Sequence, residues 1–214
     1  MYLCSRFFFT VKQQRLTLFF TLFALIQIVG CTRSEQVMIP TDGLSEGDLA
    51  FRRGSGAKSH AVLYADKEGL YSHVGIIVKE GSGFMVVHVT PGERTPEETV
   101  DKIKMERLEE FFARDKAKKG AILHFADSSE CSEKAAHCAK TFFEKEILFD
   151  HDYNLDDSTK MYCSEMVWRA YLQAGRDITN RKRSVIEGFP VFSGTYIFPS
   201  DIFQNEYLTI VYEF

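Results

Sequence analysis

Two apolar runs, over residues 73–79 and 84–90, stand on either side of Glu80-Gly81-Ser82-Gly83. Glycines between two β-rich runs signal a tight hairpin, which commits its strands to antiparallel pairing. No other stretch limits the fold as strongly. A turn centred on Glu80-Gly81 sets His73 directly opposite His88. Any two-residue turn keeps the two on one face, because side chains alternate along a strand. A three-residue loop or a bulge would part them. The hairpin therefore predicts an imidazole pair, the alternative being two unrelated strand histidines.

The remaining elements are irregularly ordered. Strands are expected over 49–52, 99–105, 121–125 and 208–212, with a short one over 196–198. Helices are expected over 59–65, 107–113, 128–145 and 163–174. Asp127 and Glu130 have the spacing of a capping box for the helix at 128–145, and Gly175 is a stop signal for the last. Strands and helices do not alternate as a parallel sheet requires, so the expected fold class is α+β with an antiparallel sheet.

The first 30 residues have a different character. Arg6, Lys12 and Arg15 supply positive charge, and no Asp or Glu precedes Glu35. The apolar run from Leu16 to Val29 is 14 residues long, short of the ~20 that a spanning helix needs. Its length suits the core of a secretory signal. Ile28-Val29-Gly30-Cys31 then resembles a bacterial lipobox, in which the Cys is lipidated and becomes the mature N-terminus. The expected organisation is a signal peptide over 1–30, a lipidated tether over 31–43 and a folded domain over 44–214. The expected location is the bacterial cell envelope, at the outer membrane or the periplasmic face, with Cys31 as membrane anchor. Without residues 1–30, which hold three basic and no acidic residues, 23 Lys and Arg face 30 Asp and Glu, a net charge of −7. That balance argues against nucleic acid as a partner.

Five cysteines are present. Cys4 falls in the signal and Cys31 in the lipobox. Cys131 and Cys138 share a helical face but lie ~10 Å apart along it, too far for a disulfide between them. Cys163 opens a helix whose stripe is Met166, Val167, Ala170 and Ala174. The unpaired N–H groups and the dipole of a helix start favour a thiolate there. A buried, inert thiol on an amphipathic helix is the other reading of Cys163 taken alone.

Taken in order, Tyr71-Ser72-His73-Val74-Gly75-Ile76-Ile77, Val86-Val87-His88, Phe149-Asp150 and Tyr162-Cys163-Ser164-Glu165-Met166-Val167 resemble the permuted papain-like amidases of the YaeF/YiiX type, within the NlpC-type cysteine hydrolases. The resemblance runs from about Leu44 to Asp201, including Gly47-Asp48 and Pro199-Ser200-Asp201. It implies a circularly permuted papain-like fold, with the Cys helix packed against the His strands. It also implies Cys163 as nucleophile, His73 as base and His88 as the group that orients His73. Tyr71, Asp150 and Tyr162 are candidates for contact with substrate, though the two tyrosines could equally be packing residues.

The expected activity is cleavage of an amide or peptide bond through an acyl-enzyme on Cys163, with no cofactor. A lipid acyl hydrolase or acyltransferase on the same Cys-His site is the alternative within enzymes; outside them it is a binding module without turnover. The partner is accordingly a small peptide, amide or lipid-like substrate. No metal is expected. His73, His88 and Cys163 could in principle supply three zinc ligands. Asp150, Asp152, Asn154 and Asp156 alternate as in a calcium loop, but Leu155 and Met161 stand where its glycine and bidentate acid belong.

Overall fold

The computed structural model describes residues 37–187 and 193–214. The described residues fall within one compact unit, Glu35–Phe214. The basic start, the apolar run and Cys31 lie outside the described residues. Among the described residues no helix is long and apolar enough to cross a membrane.

The unit Glu35–Phe214 is built on a six-stranded sheet. Its strands are β1 (Leu49–Arg53), β2 (His73–Glu80), β3 (Gly83–His88), β4 (Lys104–Arg107), β5 (Lys119–Phe125) and β10 (Leu208–Glu213). They lie in the order β10-β5-β1-β2-β3-β4, and every pairing is antiparallel. The β2–β3 hairpin closes through Gly81-Ser82, because Glu80 pairs with Gly83. Gly81 takes φ +59°, a conformation that costs glycine little. The expected 99–105 strand is instead the shorter β4, and α2 (Leu108–Phe111) follows it directly.

Both faces of the sheet are covered, which is why His73–Val78 is buried at every position rather than at alternate ones. On one face Val74, Ile76, Val78 and Val87 pack with Ala135, Ala139, Met166, Val167 and Ala170. These helical residues come from α3 (Ser129–Glu144) and α4 (Cys163–Gln173). On the other face Ala50, Ile77, Val86 and Ile122 pack under Leu108, Phe111 and Phe112.

The caps explain where the two long helices begin and end. The α3 start is capped by Ser128, whose hydroxyl accepts from the Cys131 N–H at 3.2 Å. Ser128 therefore takes the place expected for Asp127, whose carboxylate pairs instead with Arg176 at 2.8 Å. At the head of α4 the Glu165 carboxylate accepts from the Tyr162 N–H at 3.3 Å. Gly175, at φ +96°, ends the helix, with its N–H on the Leu172 carbonyl and that of Arg176 on Tyr171. Two further small elements, α1 (Ala57–Ala65) and α5 (Pro199–Phe203), and the short pairs β6–β7 (Leu148–Phe149, Lys160–Met161) and β8–β9 (Ser184–Ile186, Gly194–Tyr196) complete the unit.

Candidate active site

The two histidines meet as their shared parity requires, but not in the register expected. Ile76 pairs with Val87, so His88 lies beside Gly75 and not opposite His73. The turn sits one residue later than Glu80-Gly81, which moves each pairing by two and leaves every side chain on its face. Gly75 makes the diagonal contact possible. A Cβ there would stand 2.9 Å from the His88 Cβ and 2.6 Å from Val86 Cγ1. With no side chain at Gly75, the His88 ring reaches His73, and His73 Nε2 lies 2.8 Å from His88 Nδ1. Both residues are buried.

Behind them stands a residue the sequence reading did not pick out. Glu106 pairs with Val86, two residues from His88 on the same strand, and so shares its face. Its Oε1 lies 2.9 Å from His88 Nε2. Around Glu106 are three cations. Lys116 Nζ lies 2.7 Å from Oε2, Lys104 Nζ 3.6 Å from it, and Arg52 Nη1 3.7 Å from Oε1. Glu93 joins them through Arg52 at 2.5 Å and Lys104 at 3.2 Å. The guanidinium of Arg52 is buried, donates to the Phe111 carbonyl at 2.8 Å and lies 4.5 Å from the centre of the Phe111 ring. That ring in turn packs on both imidazoles.

Burial disfavours the charged form of every group here, and the neighbours decide which groups ionise anyway. For Glu106, burial is outweighed by His88, Lys116 and Lys104, which hold the carboxyl far below its usual range. Glu93, also opposed by burial, is held at about 2 by Arg52 and Lys104. Burial dominates for His88, bringing it to about 4 despite Glu106. His73 is pushed well below 6.5, first by burial and then by Arg52, His88 and the two lysines. Both imidazoles are therefore neutral at pH 7.

Cys163 arrives from the other face of the sheet. It is half-buried at the first position of α4, as expected. Its Sγ is 3.9 Å from Ser164 Oγ and is faced by the backbone N–H groups of Val74, Ser164 and Cys163. The Val74 amide is available for a reason visible in the pairing. Ile77 exchanges its N–H and C=O with Asp48 and Gly47 on the β1 side, so the even-numbered residues of β2 point theirs toward β3. The β3 ladder stops at Ile76, two residues short of Val74. The sulfur thus lies against the end of the sheet, one residue along the chain from His73. Burial pushes the thiol up, and the Ser164 hydroxyl and three amides only partly offset it. Where the helix start alone favours a thiolate, desolvation wins and the resting sulfur is a thiol.

The other sequence candidates fall in different places. Tyr71 is buried between Phe51 and Phe203. Tyr162 is buried next to Cys163, and its hydroxyl accepts from the Ile197 N–H at 2.9 Å. Asp150 is buried and accepts from the N–H groups of Asp152 at 2.9 Å and Asn154 at 2.6 Å, so its carboxylate closes its own loop rather than facing an ion. Glu165 pairs with Arg169 at 2.7 Å. His88 spends one nitrogen on His73 and the other on Glu106, an arrangement that does not converge on a metal with Cys163. A residue not anticipated is Tyr153. It takes φ +53°, packs on Tyr162 with ring centres 5.3 Å apart and is partly exposed in the loop ahead of the cysteine.

A cysteine at a helix start, set against the end of an antiparallel sheet whose histidines precede it in the chain, defines a papain-like cysteine hydrolase with permuted order. The model of the family described as permuted papain-like amidase enzyme, YaeF/YiiX, C92 family, matches residues 43–188. The chain belongs to that family. Among solved structures it is similar to one described as metalloprotein YiiX from Escherichia coli O157:H7, with a TM-score of 0.63 and 20% identity over 79% of this chain and 97% of that one. No curated protein matches it in sequence. Among the described residues of this chain, no group of three or more His, Cys, Asp or Glu side chains is placed to hold a metal ion.

Proposed function

We propose that this cysteine hydrolase cleaves an amide or peptide bond through an acyl-enzyme on Cys163 and works from the bacterial envelope. The observation that carries the chemistry is the meeting of two pairs at one end of β2. His73 is held by His88 at 2.8 Å, and the next residue, Val74, directs its N–H at the sulfur of Cys163. With Nε2 engaged by His88, Nδ1 is the ring nitrogen that His73 has left for the thiol. As Sγ bonds the acyl carbon, the thiol proton passes to His73. It then goes to the leaving nitrogen as the C–N bond breaks, and water resolves the thioester with His73 again as base. The electron pair displaced from the C=O bond rests on the carbonyl oxygen and returns as the C–N bond breaks.

Because thiol and imidazole both start neutral, proton transfer accompanies attack and no thiolate–imidazolium pair precedes it. Turnover of a peptide p-nitroanilide should disappear in Cys163→Ala. It should fall on the order of 100-fold or more in His73→Ala. Turnover that survives Cys163→Ala would remove Cys163 as nucleophile. Release of fatty acid from a lipid ester, with none from the anilide, would point to lipid acyl chemistry on the same site.

The envelope location rests on the basic start, the 14-residue apolar run and Gly30-Cys31. Wild-type protein expressed with its N-terminus should fractionate with membranes, and Cys31→Ser should release it. Identical fractionation of the two would reject the lipid anchor.

A further inference from the structure

Glu106 takes no part in the scheme above, yet it stands at the end of a line of contacts that begins at the base. The line runs from His73 Nε2 to His88 Nδ1 at 2.8 Å, and from His88 Nε2 to Glu106 Oε1 at 2.9 Å. Each step needs one donor and one acceptor, so the chemistry of the last group sets the direction of all of them. A carboxylate only accepts. Lys116 at 2.7 Å, with Lys104 and Arg52 close by, keeps Glu106 a carboxylate. His88 must therefore carry its proton on Nε2. Being neutral, it has a bare Nδ1, which accepts from His73 Nε2–H. His73 is neutral in its turn, and its one proton is now placed.

We propose that Glu106 is a positioning residue that fixes the tautomers of both histidines, so that Nδ1 of His73 carries the lone pair. Its importance to turnover rests on the reading of His73 as base; the tautomer order itself does not. The three cations complete the device. They hold Glu106 ionised and, by their charge, oppose protonation of the imidazoles, so the base stays empty until the thiol proton arrives. When it does, His73 becomes a cation that still donates Nε2–H to His88, with the Glu106 charge one ring further back. No proton needs to leave His88.

The isosteric variant Glu106→Gln makes a sharp test. The amide oxygen is claimed by Lys116, so the NH2 group faces His88 Nε2 and donates to it. His88 must then protonate Nδ1 and donate to His73 Nε2, which forces the His73 proton onto Nδ1 and leaves no base toward the sulfur. Two-dimensional 1H–15N spectra of the histidine rings at pH 7 should show Nε2–H on both residues in the wild type and Nδ1–H on both in Glu106→Gln. Alkylation of Cys163 by iodoacetamide should slow by about 100-fold or more, since the neutral thiol has lost its acceptor. Glu106→Asp, which keeps the carboxylate, should retain the wild-type tautomers and recover much of the rate; it also serves if the glutamine variant fails to fold. Wild-type tautomers in Glu106→Gln, or altered ones in Glu106→Asp, would overturn the proposal. Reversed tautomers with an unchanged alkylation rate would show that His73 is not the base, and would overturn the proposed function and with it the role of Glu106 in turnover.

Discussion

The site depends on what one side chain lacks. Gly75 lies beside His88 in the hairpin, and the missing Cβ is the space through which His88 leans to His73. Gly75→Ala would place a methyl group 2.8 Å from the Val87 carbonyl as well as against the His88 Cβ. A small residue forced into a packed interior costs about 1–3 kcal/mol. Urea unfolding should report that loss, and the same variant should lose reactivity at Cys163 because His88 is displaced. A variant as stable and reactive as wild type would contradict the tight approach. The same reasoning shows why the sulfur is a thiol at rest: burial acts on the whole charge, whereas the amides around it each offset a part.

At the scale of elements, the loop ahead of Cys163 is tied to the helix that carries it. Arg169 on α4 pairs with Glu165 at 2.7 Å and donates to the Leu155 carbonyl at 2.7 Å, while Asp150 closes the loop from within. Arg169→Met removes the outer tie and leaves Glu165 buried without its cation. The loop amides around Leu155 should then exchange with deuterium faster than in wild type, while those of β1 and β5 stay protected; unchanged exchange around Leu155 would mean that the tie does not hold the loop. The hairpin, the two long helices and the face shared by His73 and His88 were all readable from local patterns of apolar residues and glycine. The register was not, because a two-residue turn fits at more than one point along Glu80-Gly81-Ser82-Gly83 and every such choice preserves parity. Glu106 was invisible for another reason. It reaches His88 only because β4 returns, after the long loop over 89–103, to lie along β3, and no short-range pattern encodes that pairing. The thiol state of Cys163 was likewise missed, because desolvation belongs to the packed molecule and not to the helix start.

The whole molecule carries these buried groups as a pH dependence of stability. Unfolded, His73 and His88 titrate near 6.5; folded, His88 is held at about 4 and His73 well below its ordinary value. Between those limits the unfolded chain binds more protons, so their contribution is full above pH 6.5 and is lost as the pH falls toward 4. Glu93, held at about 2, adds a further loss below about 4.5. Glu165 works in the opposite sense. Burial raises it to about 7 despite Arg169, so its contribution is full below about 4.5 and is lost as the pH rises through 7. Asp48 and Asp66, which burial also raises, act in the same sense as Glu165, and Glu165→Gln removes the largest of these opposing contributions. The unfolding free energy of that variant should fall by roughly 3 kcal/mol between pH 6.5 and 4 from His88 alone, and a flat profile there would contradict neutral buried histidines.

All of this converges on one sulfur and one base, and acyl transfer to the protein tests that pair most directly. Purified protein should be mixed with p-nitrophenyl acetate at pH 7, quenched within the first turnover and digested, and each cysteine peptide read by mass. The acetyl group is expected on the peptide holding Cys163 and not on those holding Cys131 or Cys138, whose thiols burial also raises. His73→Ala should slow its arrival by about 100-fold or more. Acetylation spread evenly over the three cysteines, or an unchanged rate in His73→Ala, would contradict a Cys163–His73 active site.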